Sequence, residues 1–312
     1  MNSKEQEIDL SGNSAVPDLD AGNTRRALDE LFRFTHQYSA TDAYDGLLKF
    51  IARFRFYAPF NAMLVHVQMP GAAFVLPPHR WLRDYQRRIK AGARALVILQ
   101  PMGPVMFVFD VSDTEPLPKA PPLPRAVVCP FEVRGRKIGD GLWRTEENAK
   151  RDGICVSERN AGSQSAGAIR IASGGRFLDA VTELRPVTKY VKVPLRYEIL
   201  LNSDHSPEVQ YATLVHELAH LYCGHLGTPK PTWWPDRRGL TESIREFEAE
   251  SACYLVCQRR GIENPSEEYL ACYMKNNKEV PPISLECVMA AAGLIEKMGR
   301  ERLKPRKEGQ RK

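Results

Sequence analysis

A chain of 312 residues, 43% hydrophobic and 26% charged, has the balance of an ordinary globular protein and can bury a core without staples; two domains are expected at this length. No apolar run approaches the roughly 20 residues of a membrane span, and residues 1–23 are polar and acidic-leaning with no apolar signal core, so a membrane-embedded or exported protein is set aside and a disordered leader is expected there. The net charge of +6 is concentrated in a basic tail, 297–312, carrying Lys297, Arg300, Arg302, Lys304, Arg306, Lys307, Arg311 and Lys312, a run that predicts a solvated end rather than a nucleic-acid arm.

In chain order, Thr24 is placed to cap a helix over 25–36 with the stripe Leu28, Leu31 and Phe32. Tyr44, Leu47, Leu48 and Ile51 mark a second helix, Asn61 to Gln68 a third ended by Pro70-Gly71, and Trp81 to Lys90 a fourth. Ala95–Gln100 and Val105–Asp110 read as two strands of a hairpin joined by Pro101-Met-Gly-Pro104. Residues 24–115 therefore form an α+β unit, followed over 116–139 by a connection that opens with the extended, semi-rigid stretch Pro116 to Arg125. Arg53, Arg55, Arg80, Arg83, Arg87, Arg88, Lys90 and Arg94 alternate with Phe54, Phe56, Tyr57, Trp81 and Tyr85, which offers cations for phosphates and rings on which the bases of single-stranded DNA can stack. The competing explanation has equal weight: Arg83, Arg87 and Arg88 solvate one helix face, while Trp81 and Phe54 are core. His36, His66 and His79 have no ligand types beside them and read as structural.

Further on, Ser206 is an N-cap, Pro207 suits a first helical position, Glu208 is a first-turn anion and Gly224 a stop, so the spacing predicts a helix between them. Its buried stripe is Tyr211, Leu214, Val215, Leu218 and Tyr222. Beside that stripe runs His216-Glu-Leu-Ala-His220, an H-E-x-x-H pattern. Two imidazoles one turn apart can share a zinc ion, and Glu217 stands where it can work on a water that the metal acidifies. Two unrelated surface histidines would be the bland explanation, and the helix signals on both flanks weigh against it.

A catalytic zinc site needs a third protein ligand. His225 is the nearest, but the long pattern H-E-x-x-H-x-x-G-x-x-H requires glycine at 223 and histidine at 226, where Cys223 and Leu226 stand. A second helix, capped by Thr241 or Ser243 and ended by Gly261, supplies a better candidate: Glu246 as ligand, with Glu250 one turn on to orient a ligand histidine through its free ring N–H. Glu248 points elsewhere on that helix and is expected in solvent. Cys253 and Cys257 read as packing, and seven cysteines without a Cys-x-x-Cys pair or an export signal predict a reducing cytoplasm.

The stretch Tyr211-Ala-Thr-Leu-Val-His-Glu-Leu-Ala-His-Leu-Tyr-Cys-Gly-His-Leu-Gly227, with Glu246-Phe-Glu-Ala-Glu-Ser251, resembles the ImmA/IrrE-like zinc metallopeptidases. The likeness runs back through Asp152–Val156, Ala166–Ile171 and Tyr197–Asn202, which look like strands packed against the motif helix, and it covers roughly 140–300. It implies Zn2+ on His216, His220 and Glu246, with Glu217 as the base. A second resemblance covers Asn61–Ala72, Trp81, Lys90–Pro101 and Val108–Thr114, which are similar to the N-terminal domain of ArdC-like antirestriction proteins. It implies single-stranded DNA binding, and Trp81, Arg83, Arg87, Arg88 and Lys90 are the residues of the right type.

The expected architecture is α+β: a zincin-like metallopeptidase domain over 140–296, built of a small sheet plus the H-E-x-x-H helix, preceded by a smaller α+β domain. The expected function is a zinc metalloendopeptidase acting on a protein substrate, with no membrane partner. In one version the substrate is a transcriptional regulator and single-stranded DNA directs the enzyme to it. The alternative is a single-stranded DNA-binding antirestriction-type protein whose peptidase domain is structural, against which the intact motif argues. Tyr222, Tyr211 and Arg238 are the nearby candidates for stabilising an oxyanion, and the sequence does not choose among them.

Overall fold

The computed structural model describes residues 38–100, 103–118, 120–123, 138–159, 167–183, 187–262 and 264–306. The expected leader, the helix at 25–36, residues 124–137 of the connection and 307–312 of the tail lie outside them.

Helix α1 (Thr41–Arg53) turns Tyr44, Leu47, Leu48 and Ile51 inward as their spacing predicts, and Pro59 opens α2 (Pro59–Gln68) where its missing N–H costs nothing. Strands β1 (Val75–Leu76), β3 (Leu96–Gln100) and β4 (Gly103–Asp110) form an antiparallel sheet in the order β1-β4-β3, which contains the expected hairpin. Strand β3 is its edge, and α2 seals it. The Asn61 amide donates to the Leu99 carbonyl (3.0 Å) and accepts from the Leu99 N–H (2.9 Å), and Gln68 does the same with Val97 (2.8 Å each way).

Helix α3 (Pro78–Tyr85) corrects one expectation: the fourth helix does not continue to Lys90. Gln86 adopts a left-handed conformation (φ 50°), its N–H caps the Leu82 carbonyl, and the chain leaves as strand β2 (Arg87–Ile89), antiparallel to β5 (Thr114–Pro116). Pairing with β5 supplies hydrogen bonds that outweigh a weak helical preference. The Pro-rich stretch is tied down at its start, because Pro116 ends β5 and the Leu117 N–H donates to Gln86.

The second half opens with α4 (Gly141–Ala149) and strands β6 (Ile154–Arg159), β7 (Gly167–Ile171), β8 (Phe177–Glu183), β9 (Lys189–Pro194) and β10 (Tyr197–Asn202). Strand β10 is central, parallel to β6 and antiparallel to β7, while β8 and β9 pair as a separate hairpin. Tyr197, Ile199 and Leu201 alternate into the core, and a short turn carries the chain into α5 (Pro207–Tyr222), which packs on this sheet. Ser206 caps α5 by accepting from the Val209 N–H. Gly167 lets β7 lie close to it, since a Cβ there would stand 2.5 Å from Thr213 Cγ2 and 2.7 Å from the Leu200 carbonyl. Helices α6 (Glu242–Arg260), α7 (Pro265–Asn276) and α8 (Leu285–Arg300) complete the fold, and α6 ends as predicted on a left-handed Gly261.

One apolar core runs from α1 and α2 through α5, α6 and α8. Leu214 and Leu218 are fully buried within it, each worth about 1.5–3 kcal/mol by transfer from water. Polar bonds reinforce the junction. The Tyr44 hydroxyl donates to Ser251 (2.8 Å), and buried Arg259 of α6 donates to the Ile51, Phe54 and Tyr57 carbonyls at the end of α1 while pairing with Glu296 of α8 at 2.5 Å. The basic tail is only partly the solvated end expected. Leu303 is buried, and Arg306 pairs with buried Asp152 (2.6 Å) and lies over Trp233 and Trp234. No helix among the described residues is long and apolar enough to cross a membrane.

Removing one member of the Arg259–Glu296 pair leaves an unpaired charge in the core. Arg259→Ala should therefore lower unfolding free energy by about 3–5 kcal/mol in urea titrations, with Glu296→Gln costing less because its neutral amide still accepts a hydrogen bond. A loss under about 1 kcal/mol for Arg259→Ala would show that the pair does not hold α1 to α6.

Candidate metal centre

His216 and His220 stand one turn apart on α5 and face Glu246 of α6. The His216 and His220 Nε2 atoms are 3.1 Å apart, and Glu246 lies 3.6 Å from the first and 3.4 Å from the second. Two nitrogen ligands on a tetrahedral zinc, each at about 2.0–2.1 Å, stand about 3.3 Å from one another. The trio therefore has the donor types and spacing of a group able to hold such an ion. Glu250, one turn along α6, reaches His216 from the other side of the ring, Oε1 to Nδ1 at 3.5 Å. Glu217 joins His216 and His220 on the wall of a cleft of about 420 Å³, together with Gly167–Ile169 of β7 and Glu242, Arg245 and Glu246 of α6.

The charges are strongly coupled. Burial opposes the charge on His216, but the pairing with Glu246, with Cys253, Glu250 and Glu217 adding to it, outweighs burial and raises the ring to about 9. The same two histidines hold Glu246 well below the usual carboxylate range. Burial pushes Glu217 up, against the two adjacent imidazoles and a bond from the Ile169 N–H. A carboxylate with a raised pKa is a better proton acceptor near neutrality.

Behind His220 lies a buried chain of groups that the sequence does not reveal. The Nδ1 atoms of His220 and His225 are 3.0 Å apart, and His225 Nε2 is 2.9 Å from Glu248. Glu248 is completely buried, which corrects its expected place in solvent. Arg237 donates to both its oxygens (2.6 and 2.7 Å), and the Ser284 N–H donates to Oε1. Burial alone would raise the Glu248 carboxyl, but the bonds from His225, Arg237 and Ser284 hold it down, while burial pushes His225 down. Residues spaced by two on a helix lie on nearly opposite faces, so Glu248 was bound to leave the cleft. The far face of α6 is core rather than surface, and the sequence signals it through Ala252 and Leu255, which share that face with Glu248. Cys223, His225 and Glu248 also form a second, buried group with metal-ligand atoms.

The residues expected to touch DNA are placed differently. Trp81 is fully buried and donates to the Phe109 carbonyl (2.9 Å), so it cannot stack on a base; it packs with Phe74 and Tyr85 instead. Arg83 pairs with Asp84 and Arg88 with Glu115, Arg87 donates to Thr114, and Lys90 donates to the Ser112 carbonyl. The oxyanion candidates are also occupied. Tyr222 donates to Asp152, Tyr211 accepts from Arg260, both rings are buried, and Arg238 pairs with Asp236.

Residues 176–253, from the start of the β8–β9 hairpin into α6, match a peptidase family described as the IrrE N-terminal-like domain. The matched segment carries His216, Glu217, His220, Glu246 and Glu250, and also His225, Arg237 and Glu248. No curated protein matches the chain. A solved structure, the antirestriction protein ArdC from plasmid R388 in a metal-free crystal, aligns over 78% of this chain and 82% of that one at 13% identity with a TM-score of 0.31, a likeness too slight to carry an argument.

In metal-free protein the His216 ring should titrate near pH 9 by proton NMR, and Glu246→Gln should bring that midpoint down. The folded value lies above the ordinary 6.5, so the contribution of the pair to stability is complete below about pH 6.5 and lost as pH rises through about 9. Melting temperatures taken in chelator across that window should fall with pH in the wild type and less so in Glu246→Gln. A His216 midpoint at or below 6.5 would contradict the pairing.

Proposed function

We propose that this protein is a zinc-dependent endopeptidase, with the ion held by His216, His220 and Glu246 in a zincin-like arrangement. The reading is carried by the mutual spacing of those three donors beside Glu217 in one cleft. Zinc bound by such a set supplies a Lewis acid that acidifies water and polarises a carbonyl. Glu217 is the general base: it takes the proton of the attacking water and returns it to the leaving amine. Glu250 fixes the His216 ring by accepting from Nδ1.

The remaining chain supports a protein substrate. Among the described residues β7 has a neighbour on one side only, and it forms a wall of the cleft. An extended peptide can add to such an edge through backbone hydrogen bonds, which grip without demanding a particular side-chain sequence. Arg245 takes the role that Tyr222, Tyr211 and Arg238 leave vacant. It lines the cleft, and its buried Nε has no hydrogen-bond partner among the described residues, so it can meet the developing negative charge on a carbonyl oxygen. Direction of this activity by single-stranded DNA toward a transcriptional regulator gains nothing from the surface of α3 and β2, where the stacking ring is buried.

Purified protein should hold about one zinc per chain by elemental analysis, as a mononuclear site implies, and His220→Ala should lose it. Glu246→Gln should weaken zinc binding more than Glu250→Gln, and the reverse order would exchange their roles. Glu217→Gln should keep zinc and fold but abolish cleavage of a cognate substrate. Wild type that takes up no zinc, or turnover retained in Glu217→Gln after removal of contaminating protease, would end the reading.

A further inference from the structure

The buried chain behind His220 has one self-consistent assignment of protons. Glu248 receives two bonds from Arg237 and one from the Ser284 N–H, so it is an ionised carboxylate that accepts and cannot donate. The atom 2.9 Å from it, His225 Nε2, must then carry a hydrogen. Arg237 and Glu248 already cancel each other, and a further positive charge on His225 would leave this buried cluster with a net charge. His225 is therefore neutral, with a lone pair on Nδ1. That lone pair faces His220 Nδ1 at 3.0 Å, so His220 Nδ1 carries the hydrogen and its Nε2 keeps a lone pair in the cleft, turned to the protonated His216 Nε2 3.1 Å away.

We infer that Arg237, Glu248 and His225 are positioning residues that lock His220 in the Nδ1–H tautomer, so that its Nε2 is presented to a metal before any metal arrives. The inference rests on the peptidase reading only for the identity of the ion. A carboxylate orienting a ligand histidine directly is a common device. Here a second histidine stands between them, which lets the carboxylate and its arginine lie out of the cleft, where they add no charge to the wall a peptide would meet. The same cluster is not a second metal site. Two atoms of Arg237 already occupy both oxygens of Glu248, and burial, followed by the nearby Glu248, pushes the Cys223 thiol far up, away from the thiolate a metal needs.

The test uses full-length, metal-free protein, with long-range 1H–15N spectra of the His220 ring and titration with zinc or cobalt alone. The wild type should show a protonated Nδ1 and an unprotonated Nε2 at His220. His225→Leu removes the acceptor: the tautomer preference should be lost and metal affinity should fall about 10–100-fold with the circular dichroism spectrum unchanged. His225→Gln offers an amide oxygen to His220 and an amide N–H to Glu248, so it should restore the tautomer and most of the affinity. It also serves as the folded control if the leucine variant is unstable. Three results would each overturn the inference: an Nε2–H tautomer in the wild type, unchanged cobalt affinity in His225→Leu, or a second equivalent of metal that His225→Leu removes. Failure of the peptidase reading is separately visible, because none of these readouts depends on cleavage. Zinc uptake without turnover would sink the catalysis and leave the relay standing.

Discussion

Helix α6 buries a carboxylate, Glu248, and about three turns later a guanidinium, Arg259, and each must be neutralised where it lies. Most of the long-range polar structure follows from that requirement. Arg259 gathers the end of α1 and Glu296 of α8, and so binds the N-terminal helices to the second half of the chain. Glu248 gathers Arg237 and His225 from the segment between α5 and α6, and the Ser284 N–H at the start of α8. With both charges satisfied inward, α6 lies against α5 so that Glu246 stands over the two histidines. The site geometry is a consequence of the buried electrostatics beneath it.

The parts legible in the sequence are those whose signal is local. Ser206-Pro207 and Gly261 are end signals written within one turn of the helices they bound, and the apolar stripe of α5 fixes which face turns inward. His216 and His220 fall outside that stripe, so their place beside the cleft could be read from spacing alone. The family resemblance implied strands over 152–156, 166–171 and 197–202, and strands stand at 154–159, 167–171 and 197–202, although nothing local says that β10 lies between the other two.

What was not legible depends on partners distant in the chain. Glu248 looks like Glu246 and Glu250 in sequence, and its burial depends on α8 packing over that side of α6. Trp81 looked like a stacking ring because arginines surround it. Its indole instead fills a small core with Phe74 and Leu76, and those arginines find local carboxylates and carbonyls. Arg87 and Arg88 continue a helical pattern by composition, and only the pairing with β5, nearly thirty residues on, makes them a strand. In each case a tertiary contact overrode a local preference that was weak to begin with.

The two amides that seal β3 carry a liability of their own. Asn61 and Gln68 match the strand because each side chain offers one donor and one acceptor, as a neighbouring strand would. Hydrolysis of either amide during ageing would replace the donor with a carboxylate oxygen facing a backbone carbonyl. The repulsion would part α2 from the sheet and expose an apolar edge able to recruit the same edge of another copy. Slow chemical deamidation at these two positions would thus give the protein a route to aggregation that begins at the edge of the sheet and opens the core where α2 covers it.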